Sequence, residues 1–347
     1  MKSESICRIL VVGKGSMGLR HINLSRRFFP NAEIKTLNDR GLSSHMELTD
    51  GYFETIEQSQ KFAPQIAIIA NPATFHYQIA KRLAEAGTHL LIEKPISTST
   101  EHLIELISLC KEKNLILMTG YNLRFSPSLM YFNELIKKNI VGQILSVRCE
   151  VGQYLPDWRP NKDYRKTVSA NFHLGGGVLL ELSHEIDYLR WIFGEIDWVR
   201  ATLSTQSSLE IDVEDSAHLI FGFKPKYGGH QLIANLNLDF IRHDRTRACT
   251  AIGETGTLRW NGVTNTVDVY DQKRRNWTEV YNMKMDNDET FVSEWKNFID
   301  SVNSRRDPFV TGVDGLRVLE VVEAARESAP TGNQINITRN TISIAAP

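Results

Sequence analysis

Residues 9–18 have the sequence ILVVGKGSMG, in which a short apolar strand leads directly into a G-x-G-x-x-G turn. In turns of this kind Gly13 permits a tight reversal, Gly15 lets the backbone approach a pyrophosphate, and Gly18 lets helix and strand pack closely. The N-terminus of the following helix offers amide donors and a favourable dipole to an anion. Between a strand and a helix, the motif predicts dinucleotide binding, against the alternative of an incidental glycine-rich turn. The predicted binding residues are Gly13, Gly15, Ser16, Met17 and Gly18.

The rest of the first third of the chain alternates short apolar runs with helical patterns, which predicts a parallel sheet covered by helices. The predicted strands are residues 9–12, 33–37, 65–70, 89–92 and 116–119. Thr98 and Glu101 have the spacing of a capping box, and they predict the start of the helix that carries Leu103.

Two charged residues follow the second predicted strand. Asp39 lies where an acidic side chain would accept hydrogen bonds from the ribose hydroxyls in the adenosine half of the cofactor. Arg40 beside it would hold a 2′-phosphate, or would be a solvated charge. The sequence therefore leaves NAD and NADP both open.

After Asn122 the pattern changes to that of an α+β domain. A helix is predicted over residues 126–138, and strands over residues 145–151, 199–203, 217–223, 232–240 and 266–270. Short turns between neighbouring strands favour an antiparallel sheet. Two more helices are predicted, one with an apolar stripe over residues 291–302 and one that Thr311 and Asp314 open. The predicted domains are residues 1–122, a doubly wound parallel Rossmann domain, and residues 123–347, an α+β domain.

The composition is that of an ordinary two-domain globular protein. The chain has 347 residues, 41% of them hydrophobic and 23% charged, with a formal net charge of −1. Such a balance gives no general affinity for nucleic acid or membranes. The four cysteines have no C-x-x-C spacing, and no apolar run reaches the roughly 20 residues that span a bilayer. We expect a soluble cytoplasmic protein with reduced thiols, no metal site and no signal peptide.

Five short motifs stand in a characteristic order along the chain. They are the Gly13–Gly18 turn, Asn71-Pro72, Glu93-Lys94-Pro95, Gly120-Tyr121-Asn122 with Arg124-Phe125, and the run from Gly175-Gly176-Gly177 to His184-Glu185-Ile186-Asp187. Together they resemble the Gfo/Idh/MocA family, named after glucose-fructose oxidoreductase, inositol dehydrogenase and a rhizopine-catabolism protein. The resemblance implies a Rossmann domain followed by a domain with an open, mainly antiparallel sheet, assembled as a homodimer or homotetramer. It also implies hydride transfer between NAD or NADP and a carbinol or ketone carbon of a sugar, polyol or sugar derivative.

Glu93, Lys94 and Pro95 follow the predicted strand 89–92, and ligands of parallel sheets lie at the carboxyl ends of the strands. The resemblance implies that Lys94 is catalytic, because a cation at the substrate hydroxyl favours the alkoxide while hydride leaves. It also assigns Glu93 and Lys94 to the cofactor site. The alternative for Lys94 is a surface lysine at a strand end, and the bond before Pro95 is either trans or cis.

His184 is the second candidate catalytic residue, on a helix predicted over residues 179–193. The resemblance implies that its imidazole takes the substrate proton and returns it. Family members often have an aspartate four residues before this histidine, whereas this chain has Leu180 there and Glu181 three residues before. On one continuous helix Glu181 would share a face with His184 and assist it, or Asp187 would orient the imidazole. Packing or a salt bridge is the alternative.

Four further residues are assigned to the site by their positions after predicted strands. Asn71 and His76 follow the strand 65–70, where the family contacts the ribose or pyrophosphate of the cofactor; His76 would otherwise cap or begin the next helix. Tyr121 and Asn122 follow the last strand of the Rossmann domain, a position suited to contact with substrate or nicotinamide. Tyr121 would otherwise be a packing residue.

Residues 153–175 form a long predicted loop that is rich in aromatic and cationic side chains. Such a loop suits stacking on a sugar ring and pairing with an anion. We interpret four of its residues as binding an anionic substrate such as a nucleotide-sugar, a phosphorylated sugar or a sugar acid; a solvated charged loop is the alternative. The predicted substrate-binding residues are Trp158, Arg159, Tyr164 and Arg165, with Lys94, Tyr121 and His184.

Two other functions remain open. In one, transient NAD-dependent oxidation acidifies a neighbouring carbon, and a glycoside is cleaved or a leaving group is eliminated. In the other, a non-catalytic regulator keeps the Rossmann fold to sense nucleotides. Such a regulator would lack Lys94 and His184, and both are present in this chain.

Overall fold

The computed structural model describes residues 6–37, 48–225, 230–286 and 288–339. This part of the chain forms two compact units. The first contains the described residues up to Tyr121 together with Phe291–Leu319, and the second contains Asn122–Thr290 and Glu320–Arg339. Residues 291–319 therefore group with the first unit, whereas the sequence assigned them to the second domain.

The first unit has the predicted Rossmann architecture. Its elements before Tyr121 are β1 (Arg8–Val12), α1 (Ser16–Phe28), β2 (Glu33–Leu37), β3 (Tyr52–Phe53), α2 (Ile56–Phe62), β4 (Ile66–Ile69), α3 (His76–Glu85), β5 (His89–Glu93), α4 (Leu103–Glu112) and β6 (Leu117–Gly120). Within the described residues the strands form one parallel sheet in the order β3-β2-β1-β4-β5-β6. Every residue of β4 is buried, and since alternate residues point to opposite faces, both faces of the sheet are covered.

One of the two predicted capping motifs is wrong. Helix α4 begins at Leu103 after His102, which has a left-handed φ of 62° and no side-chain cap, so Thr98 and Glu101 do not cap it. The other motif is confirmed at the start of α9 (Gly312–Thr331). There Thr311 N and Oγ1 donate to Asp314 Oδ2 at 2.9 and 2.8 Å, and Asp314 N donates back to Thr311 Oγ1 at 3.2 Å.

Residues 291–319 join the first unit through buried side chains and backbone hydrogen bonds. The predicted apolar stripe lies on α8 (Glu289–Ser304). Its Trp295 is fully buried and stacks on Phe28 of α1 with 5.9 Å between ring centroids. Thr119 N also donates to the carbonyl of Val310 at 3.1 Å. The apolar stripe predicts that this helix buries one face. The residue that Trp295 meets there, His21 of α1, lies more than 250 residues away along the chain, so the stripe alone could not identify it.

The second unit is built on one mainly antiparallel sheet. Its elements are α5 (Pro127–Lys137), β7 (Ile144–Gly152), α6 (Val178–Glu181), α7 (His184–Phe193), β8 (Ile196–Ser204), β9 (Ser216–Phe223), β10 (Ile233–Asp239), β11 (Thr246–Gly253), β12 (Gly256–Asn261), β13 (Thr266–Asp271), β14 (Asn276–Asn282) and β15 (Ile335–Asn336). Among the described residues the strand order is β14-β13-β12-β11-β7-β10-β9-β8-β15, and the β7–β10 pair is parallel. The predicted antiparallel character is confirmed.

Four strands of this sheet were not predicted: β11, β12, β14 and β15. In β14 all but one residue are exposed, so its sequence lacks the apolar alternation of a half-buried strand. By contrast, β10 alternates buried Ala234, Leu236 and Leu238 with exposed Asn235 and Asn237, which is the pattern of a half-buried strand.

No helix in the described ranges is long and apolar enough to cross a membrane.

A buried ion pair secures the first turn of the second unit. Arg124, in a short 3₁₀ turn over Asn122–Phe125, donates through Nε and Nη2 to the two carboxylate oxygens of Asp187 on α7 at 2.8 and 2.6 Å. The two side chains are 5% and 1% exposed. Removal of one partner from such a pair leaves a buried charge without its compensation.

We therefore expect Arg124→Ala to lower the free energy of unfolding by about 3–5 kcal/mol, because the Asp187 carboxylate stays buried. Urea unfolding of the purified protein measures this change. The matched control is Arg165→Ala, which removes an arginine from an exposed pair with Asp163 and should leave the unfolding midpoint unchanged. A midpoint for Arg124→Ala equal to that of the parent would show that the pair does not stabilise this unit.

Candidate active site

The glycine turn between β1 and α1 has the geometry that its sequence predicts. Gly13 has a φ of +104°, and a Cβ there would lie 2.6 Å from the carbonyl carbon of Ala70. A Cβ on Gly18 would overlap the carbonyl oxygen of Gly13, whereas a Cβ on Gly15 would meet nothing within 4 Å. Gly13 and Gly18 are therefore required by packing, and the open space at Gly15 is available to a ligand.

Two further features of the turn suit the pyrophosphate and ribose of a dinucleotide. Helix α1 begins at Ser16 with no side-chain cap and no acidic residue in its first turn, so its first amides can donate to an anion. Asn71 follows β4 beside Gly13, and its buried Oδ1 has no hydrogen-bond partner in the described part of the chain. Buried polar atoms are normally satisfied by a hydrogen-bond partner, so this oxygen fits a ligand hydroxyl.

Asp39 and Arg40 lie outside the described residues, and the choice between NAD and NADP stays open.

His76 is buried below the surface of this region. It is the first residue of α3, is 1% exposed, and directs its ring nitrogens to the carbonyl oxygens of Pro95 (3.0 Å) and Asn71 (2.7 Å). Burial lowers the pKa of His76, so the neutral ring donates to only one of these carbonyls. The geometry supports the alternative that His76 begins the helix, and a direct cofactor contact remains a prediction.

Glu93 and Lys94 lie at the carboxyl end of β5. Glu93 is buried, and its Oε1 accepts a hydrogen bond from His21 Nε2 at 2.8 Å, while its Oε2 accepts one from Lys94 N at 3.2 Å. Burial raises the pKa of Glu93, but the hydrogen bonds from His21 and Lys94 N and the neighbouring positive charges together lower it by more, so its pKa lies below the ordinary value. Lys94 is half-buried, and the bond that joins it to Pro95 is cis.

Three residues of this region were missed by sequence reasoning: His21, Glu294 and Trp295. His21 and Trp295 are fully buried, and Trp295 Nε1 donates to His21 Nδ1 at 2.9 Å. His21 is 72 residues from Glu93 and 274 residues from Trp295 along the chain. No local spacing could have linked them, although Trp295 was correctly placed in an apolar helical stripe.

The predicted helix over residues 179–193 is wrong, because it consists of two helices. Helix α6 ends at Glu181, a turn contains Leu182 and Ser183, and α7 begins at His184, which is half-buried. Ser183 Oγ donates to the Leu180 carbonyl at 2.8 Å and so satisfies an acceptor at the break. Glu181 and His184 therefore do not lie on one continuous helix, and the argument from a shared helix face fails.

The two acidic candidates beside His184 have different partners. Glu181 Oε2 accepts a hydrogen bond from Ser169 Oγ at 2.7 Å. Asp187 directs both of its carboxylate oxygens to Arg124 in the buried ion pair. Asp187 therefore has a structural role in the second unit, whatever else it contacts.

The glycine run before α6 is explained by its close contacts. Gly177 has a φ of +98°, and a Cβ there would overlap the carboxylate of Glu214. This carboxylate accepts a hydrogen bond from Leu179 N at 3.1 Å, and burial raises the pKa of Glu214. Glycine is therefore needed for α6 to begin against Glu214.

The loop between β7 and α6 consists of short 3₁₀ turns, in agreement with its lack of sequence periodicity. It forms a small open pocket that three of the four predicted loop residues line. Arg165 is paired instead with Asp163 at 2.9 Å and with Glu210 at 3.4 Å. Ser169, the partner of Glu181, also lines the pocket. The lining residues are Leu155, Trp158, Arg159, Tyr164, Thr167 and Ser169.

Tyr121 and Asn122 are both buried. Tyr121 is 0% exposed, which supports the alternative that it is a packing residue. Asn122 Nδ2 donates to Thr290 Oγ1 at 2.8 Å within the second unit. Their contacts with substrate and nicotinamide remain predictions.

Comparison with known proteins gives matches over most of the chain. Residues 7–121 match the family model for an oxidoreductase family with an NAD-binding Rossmann fold, and residues 133–337 match the model for the C-terminal α/β domain of an oxidoreductase family. Levoglucosan dehydrogenase of Pseudarthrobacter phenanthrenivorans is 36% identical over 141 residues, an alignment that covers 40% of this chain and 35% of the relative. Myo-inositol 2-dehydrogenase of Thermotoga maritima is 25% identical over 92% of this chain and 96% of the relative. A solved levoglucosan dehydrogenase in complex with NADH has the same fold, with a TM-score of 0.84, 21% identity, and coverage of 96% of this chain and 100% of that structure.

The glycine turn gives a matched pair of variants. Gly15→Ala should leave the free energy of unfolding within about 0.5 kcal/mol of the parent, since its Cβ enters open space. It should nevertheless weaken NAD binding, because the methyl group occupies the approach of the pyrophosphate. Gly18→Ala should lower the free energy of unfolding by about 1–3 kcal/mol, because its Cβ meets backbone.

Calorimetric titration with NAD and thermal unfolding measure the two effects separately. Unchanged NAD affinity in a folded Gly15→Ala protein would contradict the assignment of the open space to the cofactor.

Proposed function

Since the chain belongs to the Gfo/Idh/MocA oxidoreductase family, we propose that it is an NAD(P)-dependent dehydrogenase or reductase that acts on a sugar, polyol or sugar derivative. One observation carries the proposal. Strands β1, β4 and β5 are neighbours in the parallel sheet, and Gly13, Asn71 and Lys94 follow their carboxyl ends. In doubly wound sheets the ligand lies at this edge, where the strand order reverses.

The chemistry assigned to Lys94 follows from its charge and position. The bound nicotinamide supplies the hydride acceptor for oxidation, or the hydride donor for reduction. A Lys94 ammonium beside the substrate oxygen stabilises the negative charge that develops there as the hydroxyl proton leaves. In the reverse direction the ammonium polarises the carbonyl oxygen, and the proton returns to that oxygen from the group that accepted it in oxidation.

We assign to His184 the exchange of the substrate proton, as a neutral imidazole that accepts it in the oxidation direction. Either acidic candidate would assist it: Glu181 accepts from Ser169, and Asp187 lies on the same helix as His184 and keeps lone pairs beyond those that Arg124 uses. The hydrogen bond between Glu181 and Ser169 connects Glu181 to a residue that lines the loop pocket.

The composition of this loop, rather than the size of its pocket, is the basis for proposing an anionic sugar derivative as the substrate, since the pocket itself has room for about one water molecule. Trp158 and Tyr164 offer aromatic faces for a sugar ring, and Arg159 offers a guanidinium for a carboxylate or phosphate. Arg165 is less suited to this task, since Asp163 and Glu210 already pair with it. Assembly as a homodimer or homotetramer remains a prediction from the family resemblance.

The role of Lys94 is tested by Lys94→Ala. Turnover should fall by about 100- to 10,000-fold, the range in which a general acid or base contributes, while affinity for NAD is retained. The assay follows the absorbance of the reduced nicotinamide with a panel of sugars, polyols and nucleotide-sugars. Lys61→Ala, an exposed lysine at the end of α2, is the control and should match the parent. Equal turnover by Lys94→Ala and the parent would exclude the catalytic assignment.

The substrate class is tested by Arg159→Ala. It should raise KM for anionic sugars by about 10- to 150-fold, since a hydrogen bond to a charged group contributes about 1.5–3 kcal/mol, and should leave KM for neutral polyols unchanged. Lys162→Ala, an exposed cation on the same loop, is the control. A panel in which only neutral polyols are converted would eliminate the proposed anionic substrate.

A further inference from the structure

His21 lies between two partners that constrain its protons. Its ring is fully buried, with Nε2 at 2.8 Å from Glu93 Oε1 and Nδ1 at 2.9 Å from Trp295 Nε1. An indole nitrogen is a donor only, so Nδ1 of His21 has to accept this hydrogen bond. The ring proton is therefore on Nε2, where it is donated to the Glu93 carboxylate.

We propose that Trp295 fixes His21 as the neutral tautomer with its proton on Nε2, and that His21 in turn positions the Glu93 carboxylate beside Lys94. His21 and Trp295 are thus positioning residues for the candidate catalytic lysine. This inference rests on the proposed function, in which Lys94 acts on the substrate oxygen.

The geometry opposes the other protonation states of His21. A proton on Nδ1, in either the second tautomer or the imidazolium, would point at the indole N–H of Trp295. Trp295 cannot rotate away easily, because it is 0% exposed and its ring stacks on Phe28. A well-packed interior holds such side chains in single rotamers. His21 is consequently a fixed hydrogen-bond donor to Glu93.

The Glu93 carboxylate is held on its other sides as well. Its Oε2 accepts from Lys94 N, and a Cβ on Gly120 of the neighbouring strand β6 would lie 3.2 Å from both Cα and Oε2 of Glu93. A side chain at position 120 would therefore crowd this carboxylate, and the glycine leaves it in place. The charge of Glu93 stays next to the residue that the proposed reaction uses.

Four ionisable groups act on Glu93 from the elements around it: His21 on α1, His76 on α3, Lys94 after β5, and Glu294 on α8. Glu294 is fully buried, and neither of its carboxyl oxygens has a hydrogen-bond partner within the described residues. Burial and the charge of Glu93 raise the pKa of Glu294, which favours its neutral acid form. In the tautomer that the Trp295 hydrogen bond requires, His21 carries no charge, and the Lys94 ammonium is then the cation that faces the Glu93 carboxylate.

The tautomer is measured directly in the full-length protein by nitrogen-15 NMR of the histidine side chains, with the His21 signals identified by their loss in His21→Gln. At neutral pH we expect a protonated Nε2 and an unprotonated Nδ1. In Trp295→Phe, which keeps a ring but removes the indole donor, we expect Nδ1 to be protonated in part of the molecules. A protonated Nδ1 in the parent, or an unchanged pattern in Trp295→Phe, would overturn the role given to Trp295.

The positioning role is measured by a pair of His21 variants. The amide of His21→Gln supplies both a donor for Glu93 and an acceptor for Trp295, whereas His21→Leu supplies neither. Outer hydrogen-bond partners that orient a functional side chain contribute about 10- to 100-fold to activity in metal sites. We expect His21→Leu to lower kcat by about 10-fold or more with KM for NAD unchanged, and His21→Gln to restore most of this loss.

Two results would separate the possible failures. If the leucine and glutamine variants lost kcat equally while both stayed folded, His21 would contribute packing alone and the inference would be overturned. If the NMR result held while Lys94→Ala kept full turnover, the tautomer would stand and the proposed role of Lys94 would fall. His218→Leu, an exposed histidine on β9, is the control and should keep the parent kcat.

Discussion

The close packing of the glycine turn against the end of β4 is the constraint on which the first unit depends. Gly13 lies directly on the backbone of Ala70 and Asn71, and Gly18 lies on the carbonyl of Gly13, with no room for a side chain at either position. This packing fixes α1 on the sheet and leaves the space beside Gly15 open. It also places the unsatisfied Asn71 oxygen next to that space. The cofactor site is thus a consequence of how tightly the strands and the helix meet.

Buried polar pairs then fix elements that are distant in the sequence. In the first unit, His21 connects α1 to Glu93 on β5 and to Trp295 on α8; in the second unit, Arg124 connects a 3₁₀ turn to α7. Such groups are costly to bury unless every donor and acceptor is satisfied, so each pair tolerates few alternative arrangements. In the first unit the His21 hydrogen bonds lie beside the candidate catalytic lysine. In the second unit the Arg124–Asp187 pair holds the helix that begins with His184.

The positions of the candidate site residues could be predicted where a short motif requires a particular backbone geometry. The glycine turn, Asn71 and Lys94 could be placed because each follows a strand of apolar residues, and strand ends gather at one edge of a parallel sheet. The loop residues Trp158, Arg159 and Tyr164 were predicted from the loop's composition; they line one pocket, and their contact with substrate remains a prediction. The break between α6 and α7 was not predictable, because residues 179–193 keep an apolar helical pattern through it. His21 and Glu294 carried no signal, since their neighbours come from distant segments.

The sequence by itself determined the parallel sheet, most strands of the second sheet, the glycine turn and the lysine at the end of β5, because these depend on local periodicity and on residues that only particular turns accept. Tertiary structure alone decided that residues 291–319 belong to the first unit, that Asp187 pairs with Arg124, and that Trp295 faces His21. The physical reason is that burial and hydrogen-bond pairing are properties of surfaces that meet in space. An apolar helical stripe predicts that one face of the helix will be buried, but only the folded structure shows which residues bury it.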